Sequence, residues 1–346
     1  MQGTATSFVY LITIIGFILA LKGLSSPKHA RRGNLIGAAG MILAVAWTFS
    51  LSNVHASARN LALIVVAMVL GIVIGAPAAR MVKMTAMPQM VAIFNGVGGG
   101  AAALVSITEF IALPHAGIAL YKIGEVLFGV VVGAVSFAGS GIAFAKLQEL
   151  MSGRPITYPA QQALNAALGI VILGLVAAVV ATASTPLLAV VLGLSLVLGV
   201  VFVLPVGGAD TPVLISLLNA FTGLAVAASG FTLNSYLLIV AGTLVGASGT
   251  LLTRMMSDAM GRSLPNILFS AFGSVITAGT AEGAEGRSVR TGTPEDIGVL
   301  LAYARKVAIV PGYGLAVAQA QHTARELADA LSERGVEVYY AIHPVA

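Results

Sequence analysis

Asn95 stands in VAIFNGVGGGAAA (91–103), Ser140 in FAGSGIAF (137–144) and Asn219 in LISLLNAFTGL (214–224), each a polar side chain set in an apolar run. Amides and hydroxyls in such places commonly join helices by hydrogen bonds. Several together can also hold water and pass protons along a file without carrying charge themselves. Gly96, Gly98, Gly99 and Gly100 beside Asn95 allow either a close helix approach or a water-filled gap. Ser216 lies three residues before Asn219, on the same helical face. Acids are scarce: only Glu109, Glu125, Glu149 and Asp210 precede Arg254. An ionised carboxylate in a membrane must be paired or wet. Asp210 follows Gly207 and Gly208 and stands about 13 Å along a helix axis from Asn219. It is either a solvated helix cap or a protonatable gate. Glu125 starts the fifth span on the outer side, as a cap or a proton entry. His29, His55 and His115 fall in loops, so the side chain most suited to carrying protons near neutral pH is missing from the apolar runs. The chain has no cysteine, which removes disulfides, thiolate metal sites and a thiol nucleophile; no metal site is expected.

A second kind of chemistry is written in KVAIVPGYGLAVAQAQ (306–321). A buried β-branched strand over 306–310 runs into Gly312, Gly314 and Val317, which fit a GxGxxV pattern. Glycines there let backbone amides approach a pyrophosphate, and the positive end of the following helix stabilises it. That helix is expected over 316–334, ended by Gly335, with a second strand over 336–342. In a chain with 40 glycines the same turn could be a plain strand-to-helix packing turn. Glu337 lies at the start of the second strand, whereas a ribose-binding acid belongs at its end, where Ile342, His343 and Pro344 stand; this points to NADP rather than NAD.

The elements that must position these residues follow from composition. Of 346 residues, 58% are hydrophobic and 9% charged, so a bilayer rather than water is the main solvent. The net charge of +5 comes from scarce acids rather than a basic block, which argues against nucleic acid. A span needs about 20 apolar residues. Nine windows qualify: 7–24, 34–51, 61–79, 87–107, 123–145, 163–181, 186–206, 212–231 and 236–255. Alternate loops on one side carry Lys22, Lys28, Arg31, Arg32, Arg80, Lys83, Lys146, Arg154, Arg254 and Arg262; the other side has Arg59 and Lys122. Basic loops stay in the cytoplasm, so the N-terminus is expected outside and the C-terminal tail inside, where nicotinamide nucleotides are found. Residues 278–293 (AGTAEGAEGRSVRTGT) read as a solvated linker. Thr293, Pro294 and Glu295 then predict a capped helix running to about residue 304.

MPQMVAIFNGVGG (87–99), GAVSFAGSGIAFAKL (133–147), GGADTPVLISLLNAFTGLAVAASGF (207–231), VGASGTLLTRMMSDAMGRS (245–263), the glycine-turn segment and IHPVA (342–346) together closely resemble the β subunit of bacterial proton-translocating NAD(P) transhydrogenases. The likeness runs from the first span to the last residue. It implies a mainly α fold: a membrane bundle of about nine spans (1–262), a linker with a short amphipathic helix (263–304), and the first βαβ part of a Rossmann-like NADP-binding domain (305–346). It also implies NADP(H) on this chain and NAD(H) on a partner α subunit in an α2β2-type assembly in the bacterial inner membrane. Hydride passes between the two nucleotides with Re/Si specificity, coupled to inward proton flow. Asn95, Ser140, Asp210, Asn219, Arg254 and Arg262 match family positions tied to proton conduction or coupling. Gly312, Tyr313, Gly314, Ala316 and Val317 match its NADP fingerprint. Asn95 stands where some members have a proton-relay histidine, so the titrating group is expected on the α subunit's spans or in water held by Asn95. In this family the nucleotide lies reversed relative to most such folds, which weakens the inference from Glu337. The family's nucleotide domain continues for on the order of another hundred residues, since a doubly wound sheet needs more strands to bury both faces. The chain is therefore expected to be truncated and, alone, not to hold NADP tightly. A secondary transporter or ion channel with a cytoplasmic nucleotide-sensing tail is the alternative on residue grounds alone, although no inverted repeat supports it.

Overall fold

The computed structural model describes residues 2–51, 57–113, 120–261, 263–269, 293–312, 314–315, 318 and 320–342. Among these, nine helices are long and apolar enough to cross a membrane. They are α1 (Gln2–Leu24), α2 (Ala30–Phe49), α3 (Ala58–Met81), α4 (Met87–Ala112), α5 (Leu120–Leu147), α6 (Gln161–Thr182), α7 (Thr185–Val203), α8 (Thr211–Thr232) and α9 (Tyr236–Ala259). All nine windows read from hydropathy become helices, because inside a bilayer only an intact helix satisfies every backbone group locally. The chain divides into two compact units, Met1–Thr253 and Arg254–Ala346.

In the first unit α5 packs on α4, α7 and α8, while α1 pairs with α2 and α6 with α7. Lipid removes the usual hydrophobic drive between helices, so close backbone contact has to supply the attraction. Glycine provides it. A Cβ at Gly133 of α5 would lie 2.7 Å from the Gly99 carbonyl oxygen and 2.9 Å from the Ala103 nitrogen of α4. One at Gly249 of α9 would lie 2.9 Å from the Ala220 nitrogen of α8. The glycines around Asn95 therefore bring helices together; they do not line a water-filled gap. Away from these seams, Phe110, Ile123, Val126, Leu127, Val130 and Val179 form an apolar core. No residue of α3 is buried.

In the second unit α10 (Leu264–Phe269) precedes α11 (Pro294–Ala302), β1 (Lys306–Ile309), α12 (Gln321–Glu333) and β2 (Glu337–Tyr340). The strands pair in parallel, Lys306 opposite Glu337 and Ile309 opposite Tyr340. Ala328, Leu331 and Val336 are buried. Just past α12 lies Gly335, whose φ of +83° only glycine adopts easily. One expectation is corrected. β1 is not a buried strand, since its residues alternate between exposed and half-buried; one partner strand and one helix cannot cover both faces of a sheet. After Gly312 the chain is already helical at Gly314 and Leu315, with the Ala318 amide donating to the Gly314 carbonyl (3.0 Å), and α12 follows from Gln321; residues 316, 317 and 319, where the helix was expected to begin, lie outside the described residues.

The capped helix expected at Thr293 is present as α11. Thr293 Oγ1 accepts from the Asp296 amide (3.2 Å), and the Asp296 carboxylate accepts from the Thr293 amide (3.0 Å). Those bonds hold the Asp296 carboxyl below the usual carboxylate range, and a backbone bond followed by the Thr293 hydroxyl does the same for Glu295. A carboxyl whose folded pKa is depressed adds stability above its unfolded value, and that stability disappears as pH falls through the folded one. Hydrogen exchange across residues 294–302 should accordingly speed up below the ordinary carboxylate range. In Thr293→Ala this acid-dependent step should shrink; an unchanged step in the variant would refute the cap as its source.

Candidate functional site

Asn95, buried on α4, donates from Nδ2 to Ser140 Oγ (2.8 Å) and to Ser136 Oγ (3.3 Å), both on α5. Ser136 Oγ lies 2.6 Å from Thr222 Oγ1 on α8, and both hydroxyls reach the Leu218 carbonyl, at 2.9 Å and 3.1 Å. Each hydroxyl has one hydrogen. When Thr222 donates to Leu218, Ser136 is free to donate to Thr222, and the reverse arrangement costs little rearrangement. The Asn95–Ser136–Thr222 chain therefore crosses three helices, and its Ser136–Thr222 link can be polarised either way while Asn95 Nδ2 only donates. Asn95 Oδ1 is buried and accepts no hydrogen bond from the described residues. An acceptor in that state costs about 1–3 kcal/mol unless a water or another donor meets it; Gln89 Oε1 and Gln161 Oε1 are in the same state. Further along the same helices, Ser106 of α4 meets Ser229 of α8 at 3.2 Å.

Asn95 and Ser140 are thus brought together. Asn219 is not in this network; it is half-buried on α8, one turn before Thr222. Its neighbour Ser216 instead donates to the Gly249 carbonyl of α9 (3.2 Å). Asp210 ends a short 3₁₀ turn, Gly208–Asp210, at the N-terminus of α8. It is 8% exposed and makes no side-chain cap hydrogen bond, so the solvated-cap alternative fails. Glu125 is not a cap either: α5 begins at Leu120, one turn earlier. Arg254 is exposed and pairs with Asp258 at 3.9 Å, four residues on. Arg262, Tyr313, Ala316 and Val317, His55, His115, the segment 278–292 and residues 343–346 lie outside the described residues.

Lys146 was expected in a basic loop. It is instead 3% exposed in the last turn of α5, where its ammonium donates to the carbonyls of Val203 (3.2 Å), Leu204 and Val206 (2.8 Å). Ser136, Thr222 and Lys146 escaped the sequence-level site. The available signal was spacing: Ser136, Ser140, Ala143 and Lys146 recur at three and four residues and so share one face of α5.

In the second unit, Gly312 and Gly314 follow β1, and an added Cβ at either would meet nothing within 4 Å. Neither has positive φ; their value lies in an open backbone face. A cleft of about 480 Å³ is lined by Pro311 and Leu315, which flank the two glycines, by Tyr340 and Ile342 at the carboxyl end of β2, and along α12 and β2 by Arg325, Asp329, Ser332 and Val338 among others; neither glycine lines it. Ligands of open α/β sheets bind outside such strand ends. Glu337 sits at the other end and is engaged by Lys306 at 2.8 Å, so it is not placed to hold a ribose. Among the described residues no group of three or more His, Asp or Glu could hold a metal ion.

A family model described as "NAD(P) transhydrogenase beta subunit" matches residues 6–346. Two curated proteins of Rhodospirillum rubrum, each named NAD(P) transhydrogenase subunit beta, are 46% identical over 358 aligned residues. The alignments cover 100% of this chain and 75% of each relative.

Proposed function

From the premise that the chain belongs to the NAD(P) transhydrogenase beta subunit family, we propose that it moves protons through α4, α5 and α8 and couples that movement to hydride transfer between NAD(H) on an α subunit and NADP(H) on its own second unit. The observation carrying this is the hydrogen-bonded chain from Asn95 to Thr222, with Asn95 Oδ1 left open to a water. Asn95 orients the donors, and the hydroxyls of Ser136, Ser140 and Thr222 accept and release protons. Asp210 gates the end of α8, and Asn219, Arg254 and Arg262 serve the same path and its coupling. No residue here needs to hold a charge deep in the membrane, which is what makes such a path affordable in lipid.

The loop charges support an N-terminus outside and a C-terminal side in the cytoplasm. Gly312 and Gly314 fit a dinucleotide: their faces are open, and a cleft adjoins them. With Tyr313, Ala316 and Val317 they would hold the diphosphate. The bound nicotinamides supply the hydride chemistry, and the protein supplies distance and orientation. One proton crossing 100 mV releases about 2.3 kcal/mol, enough to bias the hydride equilibrium roughly 50-fold toward NADPH. The assembly is α2β2-type, with Re/Si transfer.

The complete complex in sealed vesicles, given NADH and an NADP analogue, should transfer hydride and change lumen pH together. Hydride transfer without a pH change would point to a soluble-type enzyme on an inert anchor, and solute flux without hydride transfer to a transporter. In the same vesicles Asn219→Leu should impair proton-coupled turnover more than the hydride exchange that needs no proton. Equal loss in both would assign Asn219 to packing.

A further inference from the structure

We propose that Lys146 is a positioning residue: a buried ammonium that clasps the turn between α7 and α8 and so fixes where Asp210 stands. The proposal rests on the reading of Asp210 as a gate. An ammonium has three N–H donors, and three carbonyls, of Val203, Leu204 and Val206, receive them. The carbonyls at the end of a helix lack N–H partners from the helix itself and carry the negative end of its dipole. Lys146 meets both needs of the α7 terminus. Among the ion pairs of the described residues none involves Lys146, so its charge is balanced by these carbonyl dipoles. With all three donors spent on one turn, Lys146 acts here as a clasp on residues 203–206.

A second grip closes on the same turn. The Ile156 amide donates to the Leu204 carbonyl (3.0 Å), which Lys146 also uses, and the Gly208 amide donates to the Gly153 carbonyl (2.8 Å). The Gly207 carbonyl then receives both the Asp210 amide (3.0 Å) and Thr211 Oγ1 (3.0 Å). Residues 203–211 are thus held by the end of α5 and by the segment after it. For packing alone an apolar side chain would serve at lower cost, because a buried charge is expensive unless its partners are well placed. Lys146 is also about 9 Å along the same helix from Ser140, the partner of Asn95. One rigid helix therefore ties the Asn95 network to the turn that carries Asp210.

The test uses the complete complex in vesicles with Lys146→Met, Lys146→Arg, Asp210→Asn and the Met/Asn double variant. Lys146→Met should lower proton-coupled hydride transfer about tenfold with the complex still assembled, and Lys146→Arg should recover it to within about threefold. In the Asp210→Asn background, Lys146→Met should cost no more than about twofold, as expected for residues acting through one turn. An additive loss in the double variant, or a Lys146→Met enzyme within twofold of the original, overturns the assignment. Should Lys146→Met fail to accumulate, Lys146→Gln replaces it; absence of both from the membrane leaves a folding role and overturns the assignment as well. If Asp210→Asn alone leaves proton-coupled transfer unchanged, it is the gate reading that fails, and the positioning role falls with it.

Discussion

Asn95→Leu should lower proton-coupled hydride transfer by about a hundredfold, the scale expected when a group that positions a transferring proton is lost, while hydride exchange that needs no proton persists. Leucine has the same number of side-chain heavy atoms as asparagine, branched at the same carbon, so the outline of the side chain is largely kept. What disappears is both donors, to Ser140 at 2.8 Å and Ser136 at 3.3 Å, and the buried carboxamide oxygen beside them. The Ser136–Thr222 pair remains but loses the neighbour that orients it. Asn95→His separates a path from a mere seam. An imidazole titrates near about pH 6.5, so this variant should keep substantial turnover and add an inflection near its own pKa. Coupled turnover of Asn95→Leu within threefold of the original would remove Asn95 from the path.

Gly133→Leu should prevent the first unit from assembling at all. A Cβ there lies 2.7 Å from the Gly99 carbonyl oxygen and 2.9 Å from the Ala103 nitrogen, and neither is a side chain that can swing aside. Overpacking a core typically costs about 1–3 kcal/mol; here the obstacle is backbone on both sides, so α4 and α5 must move apart. Separation would break the bonds of Asn95 to Ser136 and Ser140 at the same time. Gly141→Ala on the same helix is the comparison: its Cβ meets nothing within 4 Å, and alanine favours a helix by about 1 kcal/mol over glycine. Membrane yield and the unfolding midpoint in detergent should collapse for Gly133→Leu and hold or rise for Gly141→Ala. Equal behaviour of the two would show that the seam is not set by glycine contact.

Gly133 also marks the limit of what the chain reveals one residue at a time. Near Asn95, glycine spacing was compatible with either a wet gap or a tight contact, and only the partner helix decides between them. Sequence does not say that Gly99 and Gly133 face each other. Lys146 shows the same limit in reverse. As a cation at the end of an apolar run it was counted with loop charge, yet its helix continues past it and α7 presents carbonyls to it. Asp210 was set between a cap and a gate, and its burial without a cap bond removed the first.

What the sequence determined by itself was local and solvent-driven: the nine membrane-length helices of the described residues, the capped α11, the strand β1 with the glycines after it, and the resemblance that names the family. Each follows from short-range rules, because a helix in lipid satisfies its own backbone and a cap or turn is made by residues within a few positions. The tertiary structure decided which polar groups meet. Asn95 reaches Ser140 across 45 positions and Ser136 reaches Thr222 across 86, and such pairings depend on helix rotation and crossing, which close backbone contact sets and hydropathy does not encode.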